Sequence, residues 1–285
     1  MRLDDLIPWT DRGGRFSRLR AGAFAAVVAP ALWIAFAFVT GGLGAEPLKA
    51  ATHLTGTWTL YLLLAALAVT PLKGLFAAPR LIALRRMIGV AAFAYIAGHL
   101  ALYAGDQDWN LVKVASEIAS RVYLTIGFAA LLGLALLAAT SFDAAMRRLK
   151  RNWKRLHRAV YLLTALGLLH FYMQSKSDVS QAVLLSGIFV GLMLHRLPAV
   201  PRNAAGVLAV AIASGLAAAA LEFAWYAAAS GIPAGRVLLS NLDFAYQVRP
   251  MWWAMAILAL PLSLLLARRL RAAERLRRLA RAPST

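Results

Sequence analysis

Eight stretches of the chain are almost uninterruptedly apolar: approximately 21–40, 54–72, 87–104, 122–142, 157–173, 179–195, 204–229 and 251–267. A helix needs about 20 such residues to cross the hydrocarbon core of a bilayer. The stretches lack period-two alternation and are too long for the strands of a membrane barrel. The pattern predicts an all-α integral membrane protein of about eight transmembrane helices. The segments between them are too short to enclose a soluble core. GGLG at 41–44 follows no strand, so it reads as a turn rather than a nucleotide-binding loop. A Pro-punctuated break, PAVPRN at 198–203, separates six spans from a last pair. The predicted organisation is a basic N-terminal segment (1–20), a six-helix domain (21–198), an additional two-helix membrane module (199–267) and a basic tail (268–285). The polar segment 1–20 precedes a long first span, which reads as a retained helix rather than a cleaved signal. That segment is either a solvated tail or a surface-lying stretch with Leu6, Ile7, Trp9 and Phe16 dipping into the lipid.

Composition agrees with this pattern. Hydrophobic residues make up 61% of the 285 and charged residues 15%, where a water-soluble domain carries about 45–50% and about 25%. The net charge of +19 would raise nucleic-acid binding in a soluble protein. Here its distribution gives a simpler reason. Counted along the successive non-membrane segments, Lys and Arg number 5, 1, 4, 2, 7, 1, 2, 2 and 7, so alternate sides of the membrane hold 25 and 6. Such asymmetry is the positive-inside rule, and it predicts cytoplasmic N- and C-termini; nucleic acid is not needed to explain the charge. Cysteine is absent, which excludes disulfides, iron–sulfur clusters, thiolate-ligated haem, covalent haem attachment through CxxCH and thiol nucleophiles.

The chemistry that remains sits on histidines: His53, His99, His157, His170 and His195. A ligand-capable side chain inside a span is costly and marks function by default. His99 lies 12 residues into the third span and His170 lies 13 residues beyond His157; both spans run outward, so each imidazole sits about 18–20 Å from the inner end. Two imidazoles at matched depth in the outer half of the bilayer suit the axial positions of a b-type haem. The alternatives are a buried hydrogen-bonded pair and a proton relay in a transporter. Small residues beside them, Gly98 and Gly167 among them, would leave room for a flat macrocycle, or merely allow close helix packing. His157, His53 and His195 fall at span ends. No HExxH, HxxEH or carboxylate-flanked histidine is present, and no serine–histidine–acid motif. Glu222 is the one acid well inside a span, readable as a quinone or proton contact or as a protonated buried acid. Arg121, at the outer start of the fourth span, reads as an interfacial charge or as a partner for a haem propionate.

Four blocks, in order and spacing, carry a family resemblance: GGLGAEPLKAATHLTG (41–56), RRMIGVAAFAYIAGHLALY (85–103), RVYLTIGF (121–128) and KRNWKRLHRAVYLLTALGLLHFYMQSK (150–176). Over about residues 20–198 the chain resembles the MsrQ (YedZ) family, the haem-binding membrane subunits of bacterial periplasmic protein-methionine-sulfoxide reductase systems. The resemblance implies a ferric-reductase-like transmembrane domain in the bacterial inner membrane. It implies haem b, one or two per chain, with iron held by His99 and His170 and with His157 carried over as a further ligand. It also implies FMN, electrons drawn from the quinone pool, and a periplasmic molybdopterin-containing partner on which sulfoxide reduction takes place, so that no catalytic residue is expected on this chain. The outer segments 41–53 and 105–121, with Glu46, Asp106, Asp108 and Glu117, are the expected docking surface. Two other functions remain open at this stage: a ferric-reductase-like terminal oxidoreductase, and a cofactor-free histidine-dependent transporter.

Overall fold

The computed structural model describes residues 8–10, 13–175, 178–229, 233–245 and 247–280. Among them the chain is helical, with one isolated bridge between Thr10 and Phe16 and no strand ladder. The helices are α1 (Arg18–Val39), α2 (Pro47–Phe76), α3 (Leu84–Asp106), α4 (Leu111–Ser120), α5 (Val122–Ala139), α6 (Asp143–Leu156), α7 (Ala159–Gln174), α8 (Ser180–Leu194), α9 (Ala204–Ala229), α10 (Ala234–Ser240) and α11 (Pro250–Ala280). Six of them are long and apolar enough to cross a membrane: α1, α2, α3 with the 3-10 turn before it, α5, α9 and α11. The other two expected spans are the apolar helices α7 and α8, which have 16 and 15 residues and fall short of that length. The chain is thus a multi-pass, all-α membrane protein. Leu6 and Ile7 of the expected surface segment lie outside the described residues. Trp9 is exposed and meets Phe24 edge to face at 5.6 Å.

Two compact units form. The first comprises residues up to Val69 and Arg80–Lys176; the second comprises Thr70–Pro79 and the chain from Ser177. In the first, α5 is the central post: α3, α4 and α7 all pack along it, and α1 packs on α3. Tyr95 of α3 donates to the carbonyl of Val27 on α1 at 2.8 Å, which satisfies a buried hydroxyl. Threonines in α2 and α7 turn their hydroxyls back on the preceding turn: Thr55 to Ala51, Thr59 to Thr55 and Thr164 to Val160. This is how polar side chains are accommodated where lipid offers no partner.

In the second unit α8, α9 and α11 form a tight trio. Small residues permit it. A Cβ added at Gly187 would stand 2.8 Å from that of Ala218 and 3.2 Å from that of Ala254, and Ser214 donates to the Gly187 carbonyl at 2.7 Å. Such close approach is what drives helix association inside a bilayer. The structure therefore groups α8 with the last two long helices, whereas the sequence pattern places the break after it, at 198–203. Two amphipathic helices, α4 and α6, occupy segments read from the sequence as loops. Asn110 caps α4 by accepting from Lys113 N at 3.0 Å, and α6 is kinked at Lys150, whose φ is +47°.

Candidate functional site

His99 and His170 come together. Their ring centroids are 6.4 Å apart and the ring planes stand at 89°. A metal–imidazole bond is about 2 Å long and a ring nitrogen lies about 1 Å from its ring centre, so two imidazoles gripping one metal from opposite sides have centroids roughly 6 Å apart. The observed gap has that size.

Each ring is fixed from behind in the same way. His99 Nδ1 lies 2.8 Å from the carbonyl oxygen of Thr52 on α2, and His170 Nδ1 lies 2.7 Å from that of Tyr123 on α5. A carbonyl only accepts, so Nδ1 carries the proton in both rings and Nε2 keeps its lone pair free for a metal. The carbonyls are already bonded within their helices, and a side chain four residues on, leaning toward the helix N-terminus, would cover them. In both cases that residue is glycine. A Cβ at Gly56 would stand 2.9 Å from His99 Nδ1, and one at Gly127 would stand 2.8 Å from His170 Nδ1. The repeated arrangement is a carbonyl at one position, glycine four residues later, and an imidazole from another helix resting in the gap.

The helices bearing the rings, α3 and α7, both pack along α5 but make no comparable backbone approach to each other. The two imidazoles, one from each helix and each with a nitrogen lone pair left free, are a donor set that suits an axially ligated metal in a planar group. Gly98 has open space before it, while a Cβ at Gly167 would meet Leu60 at 3.2 Å, so Gly167 serves the packing of α7 on α2.

At the Tyr123 side of the pair a polar chain continues. The Tyr123 ring stacks on His170 at 6.1 Å. Arg121 donates to the Tyr123 hydroxyl at 3.3 Å and to Glu117 at 3.3 Å, and the Tyr103 hydroxyl donates to Glu117. Arg121 is therefore engaged by Glu117 and Tyr123, a partnership that its place at a span start did not reveal.

His157 is not brought to this pair. It ends α6, stacks on Trp153 at 3.9 Å, and has Nδ1 3.1 Å from the Trp153 carbonyl and Nε2 3.4 Å from the Ser141 hydroxyl. Among the described residues no cluster of three metal-capable side chains forms. His195 lies in the second unit, in a cleft with Lys73, Arg196 and Arg202. Glu222, 1% exposed, is paired with Arg249 at 2.5 Å and receives a hydrogen bond from Asn241 at 3.4 Å. The acid read from the sequence as a quinone or proton contact or as a protonated buried acid thus stands beside an arginine. Gly56, Gly127 and the two carbonyls were missed in the sequence, because what makes them matter is an imidazole supplied by another helix.

The family model of the ferric reductase like transmembrane component matches residues 55–168, which takes in His99 and ends just short of His170. The chain is similar to the "Protein-methionine-sulfoxide reductase heme-binding subunit MsrQ" of Rhodospirillum rubrum, at 41% identity over 190 residues, 66% of this chain and 91% of the relative. The protein of the same name from Caulobacter vibrioides is 39% identical over 175 residues, 60% of this chain and 82% of the relative. That from Xanthomonas axonopodis pv. citri is 43% identical over 162 residues, 56% of this chain and 74% of the relative. No solved structure matches. With identity of this order across nine-tenths of a relative's length, the chain belongs to the MsrQ family of ferric-reductase-like membrane proteins.

Proposed function

We propose that this chain is the membrane electron-transfer subunit of a periplasmic protein-methionine-sulfoxide reductase system and that it holds a haem b between His99 and His170. The observation that carries the reading is the paired imidazoles, 6.4 Å apart, each with Nδ1 tied to a backbone carbonyl. The name shared by the relatives, a heme-binding subunit, supports it. When bound, haem supplies an iron that gains and loses one electron at a time. The protein's part would be to offer the Nε2 atoms of His99 and His170 as ligands. The Nδ1–H···O=C bonds stop the rings from rotating and raise the basicity of the ligating nitrogens. The apolar walls of α3, α5 and α7 keep water from the site, which sets the potential through burial.

Quinol is the proposed electron source, and a periplasmic molybdopterin-containing subunit is the proposed acceptor, on which the sulfoxide is reduced. The positive-inside count supports an inner-membrane location with both termini cytoplasmic, which puts the histidine pair in the outer half of the bilayer. The acidic residues Glu46, Asp106 and Asp108, with Glu117 on α4, then form the partner's docking face. A second haem at His157 and an FMN are supported by the family resemblance alone; for the former, Nε2 of His157 would exchange the Ser141 hydroxyl for iron.

The test is acceptor-dependent reoxidation. Protein reduced with dithionite and freed of excess reductant is mixed with the purified molybdopterin subunit and methionine sulfoxide. The reading predicts that the haem absorption returns to its oxidised form only when partner and sulfoxide are both present. Reoxidation at the same rate without the partner would make the chain a terminal oxidoreductase. A folded protein without visible absorption would make it a transporter.

A further inference from the structure

The segment that joins α5 to α7 is the helix α6, and it carries six cations: Arg147, Arg148, Lys150, Arg151, Lys154 and Arg155. All six are exposed. None of them meets a carboxylate: the ion pairs among the described residues use other cations, and the one acid of α6, Asp143, is taken by Arg86 of α3. The helix turns at Lys150, whose φ is +47°. Met146 and Leu149 lie before the turn, Trp153 and Leu156 after it, and all four are half-buried. A spacing of three residues puts each apolar pair on one helix face, away from the charges between them.

Three links fix the depth of α6. Asp143 pairs with Arg86, in the first turn of α3. The Trp153 indole donates at 2.8 Å to the carbonyl of Thr140, the residue that ends α5. His157 closes α6, and α7 begins at Ala159. Because α3 and α5 are long and apolar enough to cross a membrane, both halves of α6 are held at the level where membrane helices end. Lipid phosphates lie at that level, and an amphipathic helix with a basic face settles there. Clusters of about four to eight Lys and Arg so placed bind anionic headgroups. A soluble polyanion would meet the same charges but would gain nothing from apolar residues set at the edge of the hydrocarbon.

We propose that α6 binds the headgroups of anionic phospholipids in the leaflet where α5 ends and α7 begins. The proposal does not rest on haem binding, and the two fail separately.

The full chain, purified in mild detergent, is titrated with phosphatidylglycerol or with phosphatidylcholine of the same acyl chains, and retained lipid is counted by native mass spectrometry. Wild type retains phosphatidylglycerol roughly fivefold over phosphatidylcholine if the basic face selects the lipid. The variant Arg147→Gln/Arg148→Gln/Arg151→Gln/Lys154→Gln/Arg155→Gln loses most of that preference. Arg147→Gln/Arg148→Gln alone loses part of it, which decides the matter if the larger variant does not fold. Lys49→Gln/Lys113→Gln removes as many cations from other segments and keeps the preference. Equal retention of the two lipids by wild type overturns the proposal. So does an equal loss in the two double variants, which would make net charge alone the cause. Displacement of phosphatidylglycerol by polyglutamate or a short DNA duplex also overturns it and assigns the basic face to a soluble polyanion.

Discussion

A helix carbonyl is normally shielded by the side chain one turn further on, and a glycine there opens it to a donor from a neighbouring helix. Thr52 with Gly56, and Tyr123 with Gly127, use this to seat His99 and His170. A methyl group at either glycine would have to push the imidazole away from its carbonyl, an overpacking that costs about 1–3 kcal/mol. We expect Gly127→Ala and Gly56→Ala to lower the haem-to-protein ratio of purified protein several-fold. Gly22→Ala on α1, where a Cβ meets nothing within 4 Å, should leave the ratio at the wild-type value. Equal haem content in all three would mean the glycines do not seat the rings. At this scale the sequence was informative about the histidines and silent about their supports. The matched depth of His99 and His170 follows from topology and the rise per residue. The importance of Gly127 depends on what another helix places against it, and neighbouring residues in the chain carry no trace of that.

Apolar runs announce helices that cross the membrane, and the long ones stand where the hydrophobic pattern put them. The pattern was blind to α4 and α6 because both are short and amphipathic and lie among charges, where a search for long apolar runs sees only loops. Nor does it reveal which helices α8 packs on. The break at 198–203 is a real interruption of the chain, yet the small faces of Gly187 and Gly191 fit α9 and α11, and complementary surfaces rather than linker composition decide packing. In the same unit Glu222 and Arg249 form a buried pair. Removing one member strands a charge, which costs about 3–5 kcal/mol. Glu222→Ala should therefore lower the unfolding midpoint of the purified protein clearly, and the double variant Glu222→Ala/Arg249→Ala should be less damaged than the sum of the single variants. Strict additivity would show that the two groups do not interact.

For the molecule as a whole, the absence of cysteine makes orientation directly measurable. Single cysteines introduced by Lys49→Cys and Arg147→Cys sit on segments that the basic-residue count assigns to opposite sides. In spheroplasts, a membrane-impermeant maleimide is expected to label the Lys49→Cys protein and to spare the Arg147→Cys protein until the membrane is broken. The reverse pattern would put the histidine pair near the cytoplasm and remove the route to a periplasmic partner. The central claim is narrower: His99 and His170 hold one iron between them. A pyridine haemochrome assay on wild type, His99→Ala and His170→Ala, each purified as folded protein, tests it most directly. The account predicts haem b in the wild type and loss of the same haem equivalent in each single variant, because neither imidazole alone completes the axial pair. Full wild-type haem content with an unchanged absorption spectrum in either variant would contradict it.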